Sequence, residues 1–274
     1  MKPTIEIICI GTELLIGKTL NTNANWLAKR ITSLGGRVTR ITVIRDDIDE
    51  IASSVKDAIR RKNTLIITVG GLGPTFDDKT LEGVAKALNR KLVVNNEALK
   101  MIEERYSSYV KEGRMEKFEL TSPRIKMATL PEGARPLRNP VGTAPGVLIK
   151  HEEKTMVSLP GVPSEMKAIF EEAVLPIIKR VAGDLTFFEK SIDVTGVIES
   201  ELAPVIDKVM HDNPHVYIKS HPKGAERIPR IEFHLSTTAD NSNVARNRVR
   251  RTLTQLCEII KKKGGKIENT REGI

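Results

Sequence analysis

The chain of 274 residues carries a formal charge of +9, with 39% apolar and 29% charged residues, the make-up of a globular domain with room for a smaller second one. No apolar run approaches the roughly 20 residues that cross a bilayer, and MKPTIEIICIG enters a strand pattern with no signal-peptide arrangement, so a cytoplasmic protein without a membrane is expected. Residues 1–170 hold 27 Lys+Arg against 20 Asp+Glu and the remainder 17 against 15, while aromatics are only 4%; this spread predicts no nucleic-acid stripe, and a mildly basic surface suits phosphorylated small molecules instead.

Residues 4–10 (TIEIICI) form a short apolar run that predicts a buried strand. Ala24, Leu27, Ala28, Ile31 and Leu34 recur at helical spacing, and Gly35-Gly36 ends that helix. A strand follows at 37–44, and then a helix marked by Ile48, Ile51, Ala52, Val55 and Ile59, with Asp47 and Glu50 spaced as a capping box. The third strand is 64–69, and Leu81, Val84, Ala85 and Leu88 share a face of a third helix. This alternation predicts a parallel sheet with right-handed crossovers.

A helix is expected over 97–111 and irregular polar chain over 112–125. The Pro/Gly-rich stretch 130–146 leads to two short strands, VLIK and TMVSL, and then to a helix with Pro163 near its first position. From about 186 the order is strand (188–195), helix (200–211), strand (215–220), strand (230–237), helix (241–263) and a short strand (266–268), a split βαβ, ferredoxin-like pattern. The domains read as 1–170, a connecting helix over 171–185, and a small α+β unit over 186–274.

Ligands of open parallel sheets bind beyond the carboxyl ends of the strands. Five polar, glycine-bearing loops fall there. The first, GTELLIGKTLNTNAN, offers Thr12, Glu13, Asn21 and Asn23, and the second offers Asp46 and Asp47. The third, VGGLGPTFDDKT, places Gly70, Gly71 and Gly73 ahead of Thr75, Asp77 and Asp78. Glycines let backbone N–H groups approach an anion, and the helix that follows aims its positive end at the same place. Asp77 and Asp78 suit a magnesium-type cation shared with phosphate oxygens; the competing interpretation is a helix cap by Thr75, Asp77 or Asp78. The fourth loop contributes Asn139 and Gly142, and the fifth Ser164 and Glu165. There is no G-x-x-x-x-G-K-[ST], and Gly71-Leu72-Gly73 lacks the third glycine of G-x-G-x-x-G, which disfavours a P-loop or dinucleotide enzyme.

GTELLIGKTLNTNANWLA, GGLGPTFDDKT, NPVGTAPG and LPGVPSEMK resemble, in order, the motifs of the competence/damage-inducible protein A (CinA) family. The resemblance implies a molybdopterin-binding-like fold of the MoaB/MogA type: a three-layer α/β/α sandwich with a mostly parallel sheet. It implies that the glycine loop binds the phosphorylated ligand, that an acidic residue there assists metal-dependent chemistry, and that Asp46 is a second acidic position. It further implies ADP-ribose pyrophosphatase activity giving AMP and ribose 5-phosphate, a divalent cation (Mg, Mn or Co), and a homodimer. The part from 186 on is similar to the small, sometimes KH-type, middle domain of that family, without a G-x-x-G loop. The C-terminal nicotinamide mononucleotide deamidase domain common in CinA-like proteins has no room before residue 274, so a deamidase activity is not expected.

The sequence thus predicts a metal-dependent hydrolase of a nucleoside diphosphate sugar. Asp77 and Asp78 hold the cation, Gly70, Gly71, Gly73 and Thr75 one phosphate, and Asp46 a second metal bond or the proton of attacking water. Asn139, Gly142, Ser164 and Glu165 shape the nucleoside side; Thr12, Glu13, Asn21 and Asn23 belong to the loop that closes over the ligand. Two alternatives stand beside it: a pterin-binding protein of molybdenum cofactor synthesis, and a nucleotide sensor without turnover. Cys9 and Cys257 form no Cys-x-x-Cys pair and read as buried thiols. His211 and His215 flank Pro214 and make no metal pair, and His221 is expected in a solvated hairpin loop. Trp26 is expected in core or interface. A single glutamine among abundant Lys, Arg and Glu fits a heat-adapted source.

Overall fold

The computed structural model describes residues 2–223 and 230–272. The chain separates into two compact units. One comprises the residues up to Ile31 with Gly36–Val181, the other Thr32–Gly35 with the chain from Ala182 onward.

The first unit runs β1 (Thr4–Ile10), α1 (Thr12–Leu15), α2 (Thr22–Ser33), β2 (Arg37–Ile44), α3 (Ile48–Arg60), β3 (Leu65–Val69), α4 (Thr80–Ala87), β4 (Leu92–Val94), α5 (Asn96–Lys111), α6 (Ser122–Met127), β5 (Thr129–Pro131), β6 (Arg135–Leu137), β7 (Gly146–His151), β8 (Lys154–Leu159) and α7 (Pro163–Ile169). A π-turn over Phe170–Val174 carries α7 into α8 (Leu175–Ala182). The main sheet has the order β2-β1-β3-β8-β7-β6. β2, β1, β3 and β8 are parallel, and β7 runs against both neighbours. The sheet is therefore mixed, mostly parallel, with helices on both faces.

β1 and β3 are apolar on both sides because both are covered. Ile8, Ile10 and Ile66 pack on Ile51 and Val55 of α3, Val84 of α4 and Ile102 of α5. Ile5, Ile7 and Ile67 point the other way, and are as fully buried. β2 is the edge strand and keeps Arg37 and Arg40 exposed, a guard against pairing with other chains. One charge lies in the core. Glu6 is wholly buried and accepts from Arg61 Nε and Nη2 (2.9 and 2.6 Å) and from Asn63 Nδ2 (2.8 Å), the pairing that makes a buried carboxylate tolerable.

Four short elements, α6, β6, β4 and β5, depart from the sequence expectation. The 112–125 stretch is not wholly irregular, since α6 starts at Ser122 with Pro123 in its first turn. β6 forms within the Pro/Gly-rich segment, and β4 pairs with β5 in a separate two-stranded ladder. The stretch before α6 is tied down by ring contacts: Phe118 stacks on Tyr106 at 5.9 Å, and the Arg124 guanidinium lies 3.9 Å over the Tyr106 ring.

The second unit contains β9 (Thr186–Thr195), α9 (Glu199–Asp212), β10 (Tyr217–Lys223), β11 (Arg230–Ala239), α10 (Ser242–Lys262) and β12 (Lys266–Glu272). Its antiparallel sheet has the order β10-β11-β9-β12, the ferredoxin-like order that the split βαβ pattern predicts. Ala245, Val249, Leu256 and Ile260 of α10 pack with Phe233 and Ile192 in its core. His221 is a correction: it lies in β10, pairs with Glu232, and meets the His234 ring edge-on at 5.0 Å. The rest of the expected loop, 224–229, lies outside the described residues. Among the described residues, no helix is long and apolar enough to cross a membrane.

Candidate functional site

β1, β2, β3, β6 and β8 all point the same way in the sheet, so the loops that follow them share one edge. At the centre is the turn after β3. Gly70 (φ 106°) and Gly71 (φ 64°) occupy backbone space that side chains avoid. A Cβ on Gly70 would stand 2.2 Å from the Ile10 carbonyl oxygen, and one on Gly71 2.4 Å from Thr80 Oγ1. Thr80 fixes this turn from α4: its hydroxyl donates to the Gly70 carbonyl (2.7 Å) and its N–H to that of Gly71 (3.2 Å). The sequence reading passed over Thr80, although a buried threonine opening α4 is the hinge on which the glycine turn closes.

Asp77 and Asp78 do not cap α4, whose preceding residue is Lys79, with no side-chain cap bond. Asp78 Oδ2 accepts from the N–H of Thr75 (2.8 Å) and from its hydroxyl, closing a tight loop that leaves Asp77 exposed beside it. The Thr75 hydroxyl, the amide of Asp77 itself, and the charges of Lys126 and Lys79 hold the Asp77 carboxyl below its usual range. Lys126, from α6, also donates to the Thr75 carbonyl. It is a second residue that sequence reasoning missed. Ser-Pro at 122–123 was the available helix-start signal.

The neighbouring loops are tied to one another. Asp46 Oδ2 accepts from Thr12 N (2.7 Å) and Thr12 Oγ1 (2.9 Å), joining the loops after β1 and β2. Asn23 Nδ2 donates to the Gly161 carbonyl (2.7 Å), and the Gly161 Cβ position is 3.4 Å from the Gly70 Cα. Asn139 Nδ2 donates to Glu165 Oε2 (2.7 Å) and to the Ala144 carbonyl (2.8 Å), while its Oδ1 accepts from Gly142 N (2.8 Å). A Cβ on Gly142 would lie 2.0 Å from the Glu165 carboxyl carbon, so a side chain there would displace the Glu165 carboxylate from Asn139. These contacts link loop one to loops two and five, and loop four to Glu165.

Other predicted residues have structural duties. Asn21 Oδ1 accepts from Ala24 N (3.1 Å) at the start of α2. Glu13 folds over Gly11, 2.5 Å from its Cβ position, and Ser164 is exposed in the first turn of α7. Asp47 is the cap of α3, accepting from Asp49 N (2.9 Å) and Glu50 N (3.0 Å). Glu50 does not complete the expected capping box. It binds the Arg45 amide (3.2 Å) and guanidinium (Nε, 2.9 Å) instead. Cys9 is buried beside Asn21, and burial pushes its thiol up.

Among the described residues, no group of three or more His, Cys, Asp or Glu converges as a metal cage. Asp77 and Asp78 are adjacent, Asp77 exposed and Asp78 half-buried. This donor set fits a hard cation held by one or two carboxylates and completed by ligand oxygens, as magnesium sites commonly are.

The profile of the family described as "Probable molybdopterin binding domain" matches residues 6–180. A protein from Pyrobaculum calidifontis is 45% identical over 95% of this chain and 97% of its own length. The crystal structure of the protein CinA with unknown function from Thermoplasma acidophilum is 39% identical, with a TM-score of 0.58, over 64% of this chain and 98% of its own. The tungsten cofactor synthesizing protein MoaB from Pyrococcus furiosus is 17% identical with a TM-score of 0.41, over 66% of this chain and 98% of its own. The family-profile match over residues 6–180, with the 39% identical CinA structure beside it, makes the chain a member of the molybdopterin-binding domain family, related to CinA.

Proposed function

We propose that the sheet edge binds a phosphate-bearing ligand through a divalent cation and hydrolyses its pyrophosphate, with ADP-ribose as first substrate and AMP and ribose 5-phosphate as products. The observation that carries this reading is the use made of the two aspartates. Neither caps α4, and the Thr75–Asp78 closure holds them beside a turn that only glycine can make. A cation held there by Asp77 and Asp78 would offset the charge of the pyrophosphate. The amides from Gly71 to Gly73 hold phosphate oxygens, whereas the Gly70 amide, expected to join them, donates to the Leu159 carbonyl (3.0 Å) and the Thr75 hydroxyl to Asp78. Asp46, held by Thr12 through Oδ2, keeps Oδ1 to take a proton from water as its oxygen attacks phosphorus and the bridging P–O bond breaks.

AMP release from ADP-ribose, with a panel of divalent cations, tests this reading beside Asp77→Asn. Metal-dependent release that the variant loses supports it, and full release by Asp77→Asn overturns the assignment. The family description favours a second reading, a pterin-type ligand on the same loops; tighter binding of a phosphorylated pterin than of ADP-ribose, with no AMP release, would favour it. A homodimer belongs to the proposal and is read by light scattering.

A further inference from the structure

The second unit carries a cleft of about 630 Å³ between the first half of α10 and the strands β9 and β12. α10 lines it with Asn243, Arg246, Asn247 and Arg250, which at spacings of three and four residues form one stripe. Lys190 of β9 and Glu272 of β12 close the other side. Three cations thus face a single carboxylate. Glu272 binds Lys190 at 3.1 Å and stands 3.9 Å from Arg246 Nη1. Arg250 is exposed and has no ion pair among the described residues.

The stripe works against the helix that bears it. Arg246 and Arg250 are one turn apart, where like charges repel. Neither has an acidic residue three or four positions away on α10, the usual compensation on a solvated face. Arg246 is also held in place, with its guanidinium 5.1 Å over the Phe188 ring. Phe188 itself is buried, so the ring is a floor for the arginine and offers no face on which a base could stack.

Arginine pairs bidentately with phosphate oxygens, and the asparagine amides add neutral donors. Arg246 and Arg250 lie about 6 Å apart along the helix axis, four residues at about 1.5 Å each. A row of linked phosphates gives each guanidinium its own oxygens. We propose that this cleft binds an oligophosphate anion, phosphates linked in a row, through its side-chain cations and without a metal ion. Glu272 is the resident anion that the ligand displaces from Lys190. The site lies wholly within the second unit and does not depend on the reading proposed for the first.

The test is calorimetric titration of the full chain with tripolyphosphate, a nucleoside triphosphate and inorganic phosphate, in EDTA, which removes the cation that the first unit's proposed site requires. Tripolyphosphate is expected to bind about tenfold or more tighter than phosphate, the usual effect of one further charge-assisted contact. Arg250→Ala should lose about that factor. Arg251→Ala removes the same charge from an exposed position of α10 outside the cleft and should change little. Glu272→Gln should tighten binding, because Lys190 is freed. Since Arg250 and Arg251 are exposed, their variants keep the thermal midpoint of the parent. A nucleoside triphosphate that binds as tightly as tripolyphosphate supports the proposal with a nucleotide as the source of the phosphates; weaker binding supports it with the free anion as the source. Equal losses in Arg250→Ala and Arg251→Ala, weaker binding in Glu272→Gln, or no preference over phosphate would overturn the proposal and leave α10 a diffuse positive surface. So would an oligonucleotide that binds through Arg250 more tightly than tripolyphosphate, which would make the stripe a nucleic-acid contact.

Discussion

Replacing Gly70 by alanine tests the physical basis of the site. Gly70 has φ 106°, and an added Cβ would lie 2.2 Å from the Ile10 carbonyl oxygen. That oxygen belongs to the backbone at the end of β1, so no side-chain rotation relieves the contact. A non-glycine residue in such a conformation costs on the order of 1–3 kcal/mol, and overpacking a fixed neighbour costs about as much again. Together Gly70→Ala should lose about 2–6 kcal/mol of stability. Gly113→Ala isolates the conformational part. Gly113 has φ 71° and nothing within 4 Å of its Cβ position, so its cost should stay near 1–2 kcal/mol, roughly that of one left-handed residue. Guanidinium unfolding midpoints of both variants, with their slopes, give the comparison. The same move displaces the Gly70 carbonyl that Thr80 holds, so ligand binding should fall as well. Equal losses in the two variants would refute the close-approach argument.

Asp47→Ala should cost about 1 kcal/mol, the usual worth of an N-cap, whereas Asp77→Ala, which caps nothing, should stay within about 0.5 kcal/mol of the parent; thermal unfolding of both separates the two aspartates. Arg61→Ala strips Glu6 of two of its three hydrogen bonds. It should cost about 3 kcal/mol, the low end for a broken buried pair, because Asn63 still donates; urea unfolding checks it. In the second unit, Lys223, with His234 as a further donor, holds the Glu232 carboxyl below its ordinary 4.5. A carboxyl with a depressed folded pKa stabilises the fold above its unfolded value and loses that contribution as pH falls through the folded one. Stability should therefore decline below about pH 4.5, and Glu232→Gln should flatten the decline in a pH series of thermal midpoints.

Period and punctuation determined a great deal of this protein. The buried runs TIEIICI and LIITV, the 3.6-residue spacing from Ala24 to Ile31 and from Ile51 to Ala58, and the Gly35 stop are local signals, so the longer strands and helices of the first unit could be read in order. The ferredoxin-like order of the second unit was legible for the same reason. The sequence also placed the glycine turn at the carboxyl edge, because strand direction follows from βαβ connection. What it lacked was partner choice. Nothing local says that Glu50 would take Arg45, that Thr12 would hold Asp46, or that Asn139 would reach Glu165. Those bonds join residues distant in the chain or compete with equally plausible caps, and only the closed sheet decides between them. β6 and α6 were illegible because three-residue strands and six-residue helices are stabilised by what they pack against, not by their own propensity. Tertiary structure likewise brought Lys126 to the Thr75 carbonyl and built a cavity beside it. The sequence determined which backbone could bend around an anion; packing decided which side chains face it.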